Sequence, residues 1–118
     1  MKPDILWREG ENRAVQYLEK QGCIILERNY RCRFGEIDII ALDDGVLCFI
    51  EVKTRSSLDY GLPCQAVSSR KESHIKKCAY RYISLHHMEE WEIRIDIIEV
   101  LYTGHRYYVR RLINGREG

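Results

Sequence analysis

Two acidic residues that could bind a metal ion lie in segment 35–55, which reads GEIDIIALDDGVLCFIEVKTR. Within it Asp44-Gly45 separates two β-prone runs, and this dipeptide predicts a two-residue hairpin turn, because a type I′ turn needs positive φ at both central residues. In that hairpin Asp38 lies opposite Glu51. Opposite positions place Cβ atoms about 4.5–5.5 Å apart, and two full charges about 4 Å apart repel by roughly 4 kcal/mol at an effective dielectric of about 20. The pair therefore needs a compensating positive charge.

The residue types allow two sources for that charge. Carboxylate oxygens are the ligands that hard divalent ions prefer, and Mg²⁺ typically takes one or two carboxylates together with waters and substrate phosphate oxygens. A metal ion between Asp38 and Glu51 is one interpretation. In the other, Lys53 forms a cross-strand salt-bridge cluster with Glu36 opposite it and Asp38 diagonally, an arrangement that is common on solvated strands. Spacing alone does not choose between them.

Alternation of side chains along the two strands places these charges at the end of a covered surface. One face of the hairpin is wholly apolar and is expected to belong to the core; it comprises Ile37, Ile39, Ala41, Val46, Cys48, Ile50 and Val52. The other face is apolar near the turn, through Ile40, Leu42, Leu47 and Phe49, and becomes charged only farther from it.

Hydrophobic periodicity predicts the elements around the hairpin. Helical spacing of apolar residues indicates two helices, and Gly22 is a typical stop for the first of them. The strand that precedes the hairpin starts with an apolar run that predicts burial on both faces, and a helical crossover makes the third strand parallel to the fourth. The result is an α/β fold with a mixed sheet between helices. The predicted helices span 5–21 and either 68–87 or 69–87. The predicted strands outside the hairpin span either 23–30 or 23–32, then 92–101 and 107–113.

Glu11 lies on the first predicted helix, three and four residues before Ala14 and Val15, so it borders the buried stripe of that helix. An inward-facing carboxylate either belongs to a site or pairs with a nearby arginine at the boundary of the core. The second arrangement is the more frequent one.

The composition excludes several classes of protein. A chain of 118 residues with 45% hydrophobic and 31% charged residues is expected to form one globular domain over 1–118. A formal net charge of +1 gives no overall attraction for polyanions, so any nucleic-acid surface must be local. No segment resembles a membrane span or a signal peptide, so we expect no membrane partner and a cytoplasmic location. The five cysteines lack C-x-x-C spacing and are expected to be reduced thiols.

Basic residues form two local groups that could bind phosphates. Three arginines surround Tyr30 near the end of the first strand, where they either follow a phosphate backbone or are simply solvated. The second helix is also basic, and the residues near its start are the better candidates because they are close to the loop that leaves the hairpin; its Lys76, Lys77 and Arg81 are read as a solvated face. The candidates are Arg28, Arg31, Arg33, Arg70 and Lys71.

Asp38 followed by Glu51-Val52-Lys53 resembles the motif of the PD-(D/E)xK nuclease superfamily, whose αβββαβ core order matches the order predicted above, although Ile37 replaces the proline of that motif. A wider pattern is similar to the YraN family of predicted endonucleases, which are related to archaeal Holliday-junction resolvases, and it covers nearly the whole chain. The pattern consists of Gly10-Glu11 with Ala14, Gly35-Glu36-Ile37-Asp38, Phe49-Ile50-Glu51-Val52-Lys53-Thr54-Arg55, Gly61 with Pro63, Ala66-Val67, Lys71 and Arg94-Ile95-Asp96.

The resemblance implies a restriction-endonuclease-like fold and a metal-dependent endonuclease that acts on DNA, including branched or junction DNA. Asp38 and Glu51 are then ligands of Mg²⁺ or Mn²⁺, Glu11 is a further ligand, direct or through water, and Glu36 lies just behind them. Lys53 orients the attacking water or stabilises charge on the phosphate.

The resemblance also bears on partners. The residues expected to contact nucleic acid are Arg28, Arg31, Arg33, Arg55, Arg70 and Lys71. Resolvases cut two strands as dimers, so a homodimer is a further expectation, although the sequence identifies no dimer face. The alternative function is a nucleic-acid-binding module without turnover, or an interaction protein with a structural charge cluster.

Overall fold

A computed structural model describes residues 3–57 and 69–114, without the side chains of residues 3 and 69–71. The predicted order of helix, three strands, helix and two strands is confirmed, and the fold is α/β with a five-stranded mixed sheet of order β1-β2-β3-β4-β5, consistent with a restriction-endonuclease-like core. The elements are α1 (Pro3–Lys20), β1 (Ile24–Cys32), β2 (Gly35–Asp43), β3 (Val46–Ser56), α2 (Ser69–Leu85), β4 (Glu92–Tyr102) and β5 (Tyr107–Leu112).

The hairpin of β2 and β3 has the predicted register. Its pairs run from Asp43 with Val46 to Ile39 with Ile50. Asp44 has φ 47° and Gly45 has φ 83°, the positive values that a type I′ turn requires. The dipeptide therefore sets which residues face each other along the whole hairpin.

The connection after β3 returns the chain parallel to it, as predicted. β4 pairs with β3 in parallel over eleven residues, from Val46 with Glu92 to Ser56 with Tyr102. β5 pairs with β4 in antiparallel fashion and forms one edge of the sheet, and β1 forms the other edge. The second, third and fourth strands are therefore internal.

The sheet separates two hydrophobic clusters. On one face Ala14 and Leu18 of α1 pack against residues of the sheet that include Ile39 and Ile50. On the other face α2 packs against the apolar residues near the turn, which include Leu47 and Phe49. The two faces predicted for the hairpin are thus each covered by one helix.

Two predictions about burial were wrong. Ile37 was assigned to the face of Ile39, but it packs in the cluster beneath α2, because β1 holds it opposite Tyr30, which packs in the same cluster. The start of β1 was expected to be buried on both faces, but Ile24 is 61% exposed because β1 is an edge strand.

Two further expectations concern surface and redox state. No helix among residues 3–57 and 69–114 is long and apolar enough to cross a membrane. Cys23, Cys32, Cys48 and Cys78 are free thiols, as expected, and Cys64 lies outside the described residues.

Candidate active site

The site is built where the pairing of β2 and β3 stops. The last ladder pair is Ile39 with Ile50, and the next positions along the two strands are Asp38 and Glu51. Oδ2 of Asp38 accepts a hydrogen bond of 2.7 Å from the backbone N–H of Val52. The side-chain oxygen thus takes the role that a main-chain carbonyl has in a continuous ladder. The sheet thus holds one oxygen of Asp38 in place while the other stays available to a ligand.

Asp38 and Glu51 lie in a poorly solvated environment. Glu51 is only 8% exposed and Asp38 is partly buried. Burial, followed by the negative charge of Glu51, raises the pKa of Asp38 from 3.8 to about 7, and the hydrogen bond from Val52 opposes this rise. Two carboxylates that share one low-dielectric place cannot both ionise without cost. The predicted repulsion between them is therefore present.

The salt-bridge interpretation does not account for this arrangement. It assigned Lys53 to Glu36, but Glu36 pairs with Arg31, at 3.2 Å between Nε and Oε2, on the surface. Within the described part of the chain, no ion pair reaches Asp38 or Lys53. Among the cations of residues 3–57 and 72–114, none therefore forms an ion pair with Asp38.

Glu11 is brought to the site by a close contact of α1 with β3. A Cβ atom on Gly10 would lie 2.7 Å from Cγ2 and 2.9 Å from Cβ of Thr54, a separation that real side chains do not reach. Only glycine lets the helix come this near to the strand. The contact joins Gly10, which precedes Glu11, to Thr54, which follows Lys53. The charge of Glu11 contributes to the raised pKa of Asp38.

Asn29 of β1 was not singled out from the sequence, yet it belongs to this place. Its Nδ2 donates to Oε2 of Glu11 at 3.2 Å, and its φ is 53°. The β1–β2 ladder pairs Arg28 with Ile39 and Tyr30 with Ile37, and Asn29 and Asp38 lie between these two pairs without being paired in the ladder. The available signal was the residue type, because asparagine tolerates left-handed backbone and is uncommon within strands.

The donor set fits a hard divalent cation. Two adjacent carboxylates that are partly withdrawn from water match the one or two carboxylates that Mg²⁺ typically takes. Residues 3–57 and 69–114 contain no group of three or more His, Cys, Asp or Glu side chains arranged to hold a metal ion. Glu11 as a third ligand thus stays a prediction, and its contact with Asn29 sets it apart from the other two.

The predicted phosphate-binding arginines have other partners. Arg28 donates to Oδ1 of Asn12 at 2.8 Å, and Arg31 pairs with Glu36. Arg55 lies 3.6 Å from Glu99, which also binds Arg110. The side chains of Arg70 and Lys71 lie outside the described residues. Of the predicted set, Arg33 is exposed and packs over the ring of Phe34 at 4.8 Å.

A groove lined by basic and aromatic side chains of α2 and by Phe34 lies next to Arg33. Its volume is about 380 Å³, and it is lined by Phe34, Lys77, Tyr80, Arg81, Ser84 and Leu85. Lys77 lies 5.9 Å from the centre of the Phe34 ring, and Tyr80 is 63% exposed. Phe34 directly precedes β2, four residues from Asp38, so the groove adjoins the strand that carries the site. Sequence reasoning assigned Lys77 and Arg81 to a solvated face.

A second group of charges, also missed, surrounds the fully buried Asp96 of β4, which lies opposite Ile50 of β3. Asp96 is 0% exposed and accepts hydrogen bonds from Arg94, from Arg111 and from the backbone N–H of Asn114. Both arginines also reach Asp43, at 3.3 and 3.0 Å. The hydrogen bond to Asp96 raises the pKa of Arg94 despite its burial. These balanced pairs connect β2, β4 and β5.

Comparison with known proteins gives a consistent result. The model of a family described as "Uncharacterised protein family UPF0102" matches residues 10–100. A UPF0102 protein of Caldicellulosiruptor bescii is 48% identical over 98 residues, which cover 82% of each chain. A UPF0102 protein of Trichlorobacter lovleyi is 53% identical over 93 residues, 78% of this chain and 73% of that protein. Another, of Prosthecochloris aestuarii, is 42% identical over 103 residues, 87% and 81% of the two chains. The matched residues include all four candidate site residues, Glu11, Asp38, Glu51 and Lys53.

Proposed function

Because the chain belongs to the UPF0102 family, as the resemblance to the YraN pattern predicted, we propose that it is an endonuclease that hydrolyses phosphodiester bonds of DNA with Mg²⁺ or Mn²⁺. One observation carries the proposal. Asp38 and Glu51 are two adjacent, poorly solvated carboxylates on strands that have just separated, and burial and mutual repulsion raise the pKa of Asp38 to about 7. Such a pair costs stability unless a cation binds there.

The residues divide the work of hydrolysis. Asp38 and Glu51 supply oxygen ligands, and the sheet fixes Asp38 through the N–H of Val52. These carboxylates would hold Mg²⁺ or Mn²⁺, which would lower the pKa of a bound water and offset negative charge on the phosphoryl oxygens. Lys53 donates hydrogen bonds, which either the attacking water or the scissile phosphate accepts. The oxygen of water would attack phosphorus as the bond from phosphorus to the leaving sugar oxygen breaks; the proton of the attacking water would pass to solvent, and the leaving oxygen would take a proton from solvent.

Ion binding and pH are linked through Asp38. Near neutral pH a pKa of about 7 leaves this carboxyl partly protonated in the metal-free protein. Only the ionised form binds the cation, so binding releases a proton. Affinity for Mn²⁺ is therefore expected to rise between pH 6 and about pH 8 and to level off above it.

Cleavage of labelled DNA tests the proposal. Linear, nicked, flapped and four-way-junction substrates are incubated with Mg²⁺, with Mn²⁺ and with EDTA. We expect metal-dependent products from at least one substrate, and none from the Asp38→Asn and Lys53→Ala variants. Asp44→Asn, in the exposed turn of the same hairpin, is the matched control and retains activity. Products that persist in EDTA or in Asp38→Asn contradict the mechanism.

A second candidate is a nucleic-acid-binding module without turnover, and the groove on α2 favours it as the rival. Basic and exposed aromatic side chains together are typical of surfaces that hold unpaired strands. Binding with no cleavage under any metal, in a protein that also binds no Mn²⁺, identifies this rival.

A protein that assembles on junction DNA as two copies, measured by light scattering, supports the homodimer that the resemblance implies.

A further inference from the structure

The groove on α2 has a composition that neither the core nor the proposed hydrolysis requires. The residues of α2 that line it recur at intervals of three and four, so they share one face of the helix. They are Lys77, Tyr80, Arg81, Ser84 and Leu85. Phe34, in the turn between β1 and β2, adds a ring that is anchored because it also packs against the core cluster beneath α2. The groove is therefore a surface feature with a fixed aromatic wall.

Three cations meet at this groove. Arg33 and Lys77 lie over the ring of Phe34, at 4.8 and 5.9 Å from its centre, and Arg81 lines the same groove. None of the three forms an ion pair with any acidic side chain that the structure describes. In a protein whose net charge is only +1, this is a local positive surface, and it complements a chain of phosphates.

Tyr80 distinguishes an unpaired strand from a duplex as the occupant of the groove. Its side chain is 63% exposed, and within the described chain its ring contacts no other ring and no cation. Each base of an unpaired strand has a free face that can stack on such a ring, whereas the bases of a duplex stack on one another. A positive groove with an exposed aromatic ring is accordingly typical of surfaces that bind single strands.

We propose that the groove binds an unpaired DNA strand, with a base stacked on Tyr80 and phosphates bound by Lys77 and Arg81, and so directs cleavage to DNA that carries a single-stranded arm. The direction of cleavage rests on the proposed function, whereas the binding of the strand does not. Phe34 precedes Asp38 by four residues, which span at most about 14 Å. This length corresponds to about four nucleotides at a rise of roughly 3.4 Å each. We therefore expect cleavage within a few nucleotides of the start of the arm.

Fluorescence anisotropy in EDTA tests the binding with labelled duplexes of equal length, one blunt and the others with an unpaired arm of about ten nucleotides at a 5′ or a 3′ end. We expect the wild type to bind an armed duplex at least about fivefold more tightly than the blunt one. Tyr80→Leu should bind the armed duplex about 5- to 150-fold more weakly, the loss that corresponds to one stacked base, and the blunt duplex as the wild type does. Tyr80→Phe keeps the ring and the affinity. Tyr108→Leu, which changes another exposed tyrosine, on β5, is the matched control and also keeps it.

Equal affinity of the wild type for blunt and armed duplexes, or an equal loss for both in Tyr80→Leu, overturns the proposal. Polyglutamate that displaces the armed duplex as well as polythymidylate does would show that the groove recognises charge alone, as a site for an acidic protein partner would, and this also overturns it.

Cleavage in Mn²⁺ separates this proposal from the endonuclease proposal. If the protein cuts blunt and armed duplexes equally, and Tyr80→Leu cuts both as the wild type does, the role of the groove is refuted and the endonuclease is not. If the protein binds the arm through Tyr80 and cuts no DNA, the groove is supported as a binding site and the endonuclease is refuted.

Discussion

Replacing Asp38 by asparagine is expected to stabilise the metal-free protein. The change keeps the size of the side chain and an oxygen that can accept from the N–H of Val52, while it removes a charge that burial and Glu51 both disfavour. A pKa raised from 3.8 to about 7 corresponds to a cost of about 4 kcal/mol for ionising Asp38 in the folded protein. Relaxation and residual hydration reduce this, so we expect a gain of about 1–3 kcal/mol at pH 8.

The pH dependence of this gain follows from the direction of the pKa shift. Because the folded pKa is the higher one, the folded protein holds the proton more tightly than the unfolded chain. The penalty is absent below about pH 4, grows between about pH 4 and pH 7, and is complete above that range. Wild-type and Asp38→Asn proteins should therefore be equally stable at pH 4 and differ most at pH 8.

Thermal unfolding in EDTA and in millimolar Mn²⁺ provides the assay. A gain of 1–3 kcal/mol raises Tm by roughly 4–15 °C for a chain of this size. In Mn²⁺ the wild type gains about 2.7 kcal/mol when the free ion is a hundredfold above its Kd, and the variant gains little, so the advantage of the variant falls by about that amount. Asp44→Asn serves as control and changes neither melt. A destabilised Asp38→Asn in EDTA at pH 8, with a wild-type Tm indifferent to Mn²⁺, refutes the reasoning.

Three further changes test other parts of the structure. Gly10→Ala is expected to destabilise by about 1–3 kcal/mol in denaturant titration, because the new methyl group meets Thr54, and Thr54→Ala should restore part of the loss. Lys77→Ala should weaken DNA binding in fluorescence anisotropy and make its dependence on salt less steep, whereas Lys76→Ala, whose charge already pairs with Glu72, should change it less; equal effects of the two contradict a role for the groove. Asp96→Ala should cost about 3–5 kcal/mol of unfolding free energy, since it leaves two arginines partly buried without their partner; a cost below about 1 kcal/mol would show that the buried pairs contribute little.

Local signals in the sequence predicted much of the hairpin and the element order. Asp44-Gly45 fixes a turn by its own backbone preferences, and the register that follows places Asp38 next to Glu51 without any information from the rest of the chain. The predicted alternation of faces is wrong at Ile37, because its pairing with Tyr30 of β1 places it in the cluster beneath α2. The local pattern therefore predicts the pairing within a hairpin better than it predicts how a neighbouring strand changes the packing of a residue.

The residues that sequence reasoning missed depend on contacts between distant segments. Asp96 is fully buried and binds Arg94 of its own strand and Arg111 of β5, which is 15 residues away along the chain. Asn29 and Glu11 are separated by 18 residues and meet because α1 can approach β3 at a glycine. The spacing of residues within one element does not show which distant residues it will contact. The only signals in the sequence were an asparagine within a strand and two charges in an internal strand.

The backbone N–H of Val52 can report on the site from within the sheet. It donates to Oδ2 of Asp38, so its proton chemical shift should follow the protonation of that carboxyl between pH 4 and pH 8. Its exchange with solvent measures how often the two strands separate at this point, since the proton is released only when the hydrogen bond opens. A cation that binds Asp38 should slow that exchange, while amides near the turn, such as that of Val46, keep their rates. The amide proton of Val52 thereby reports both on cation binding at Asp38 and on local separation of β2 from β3.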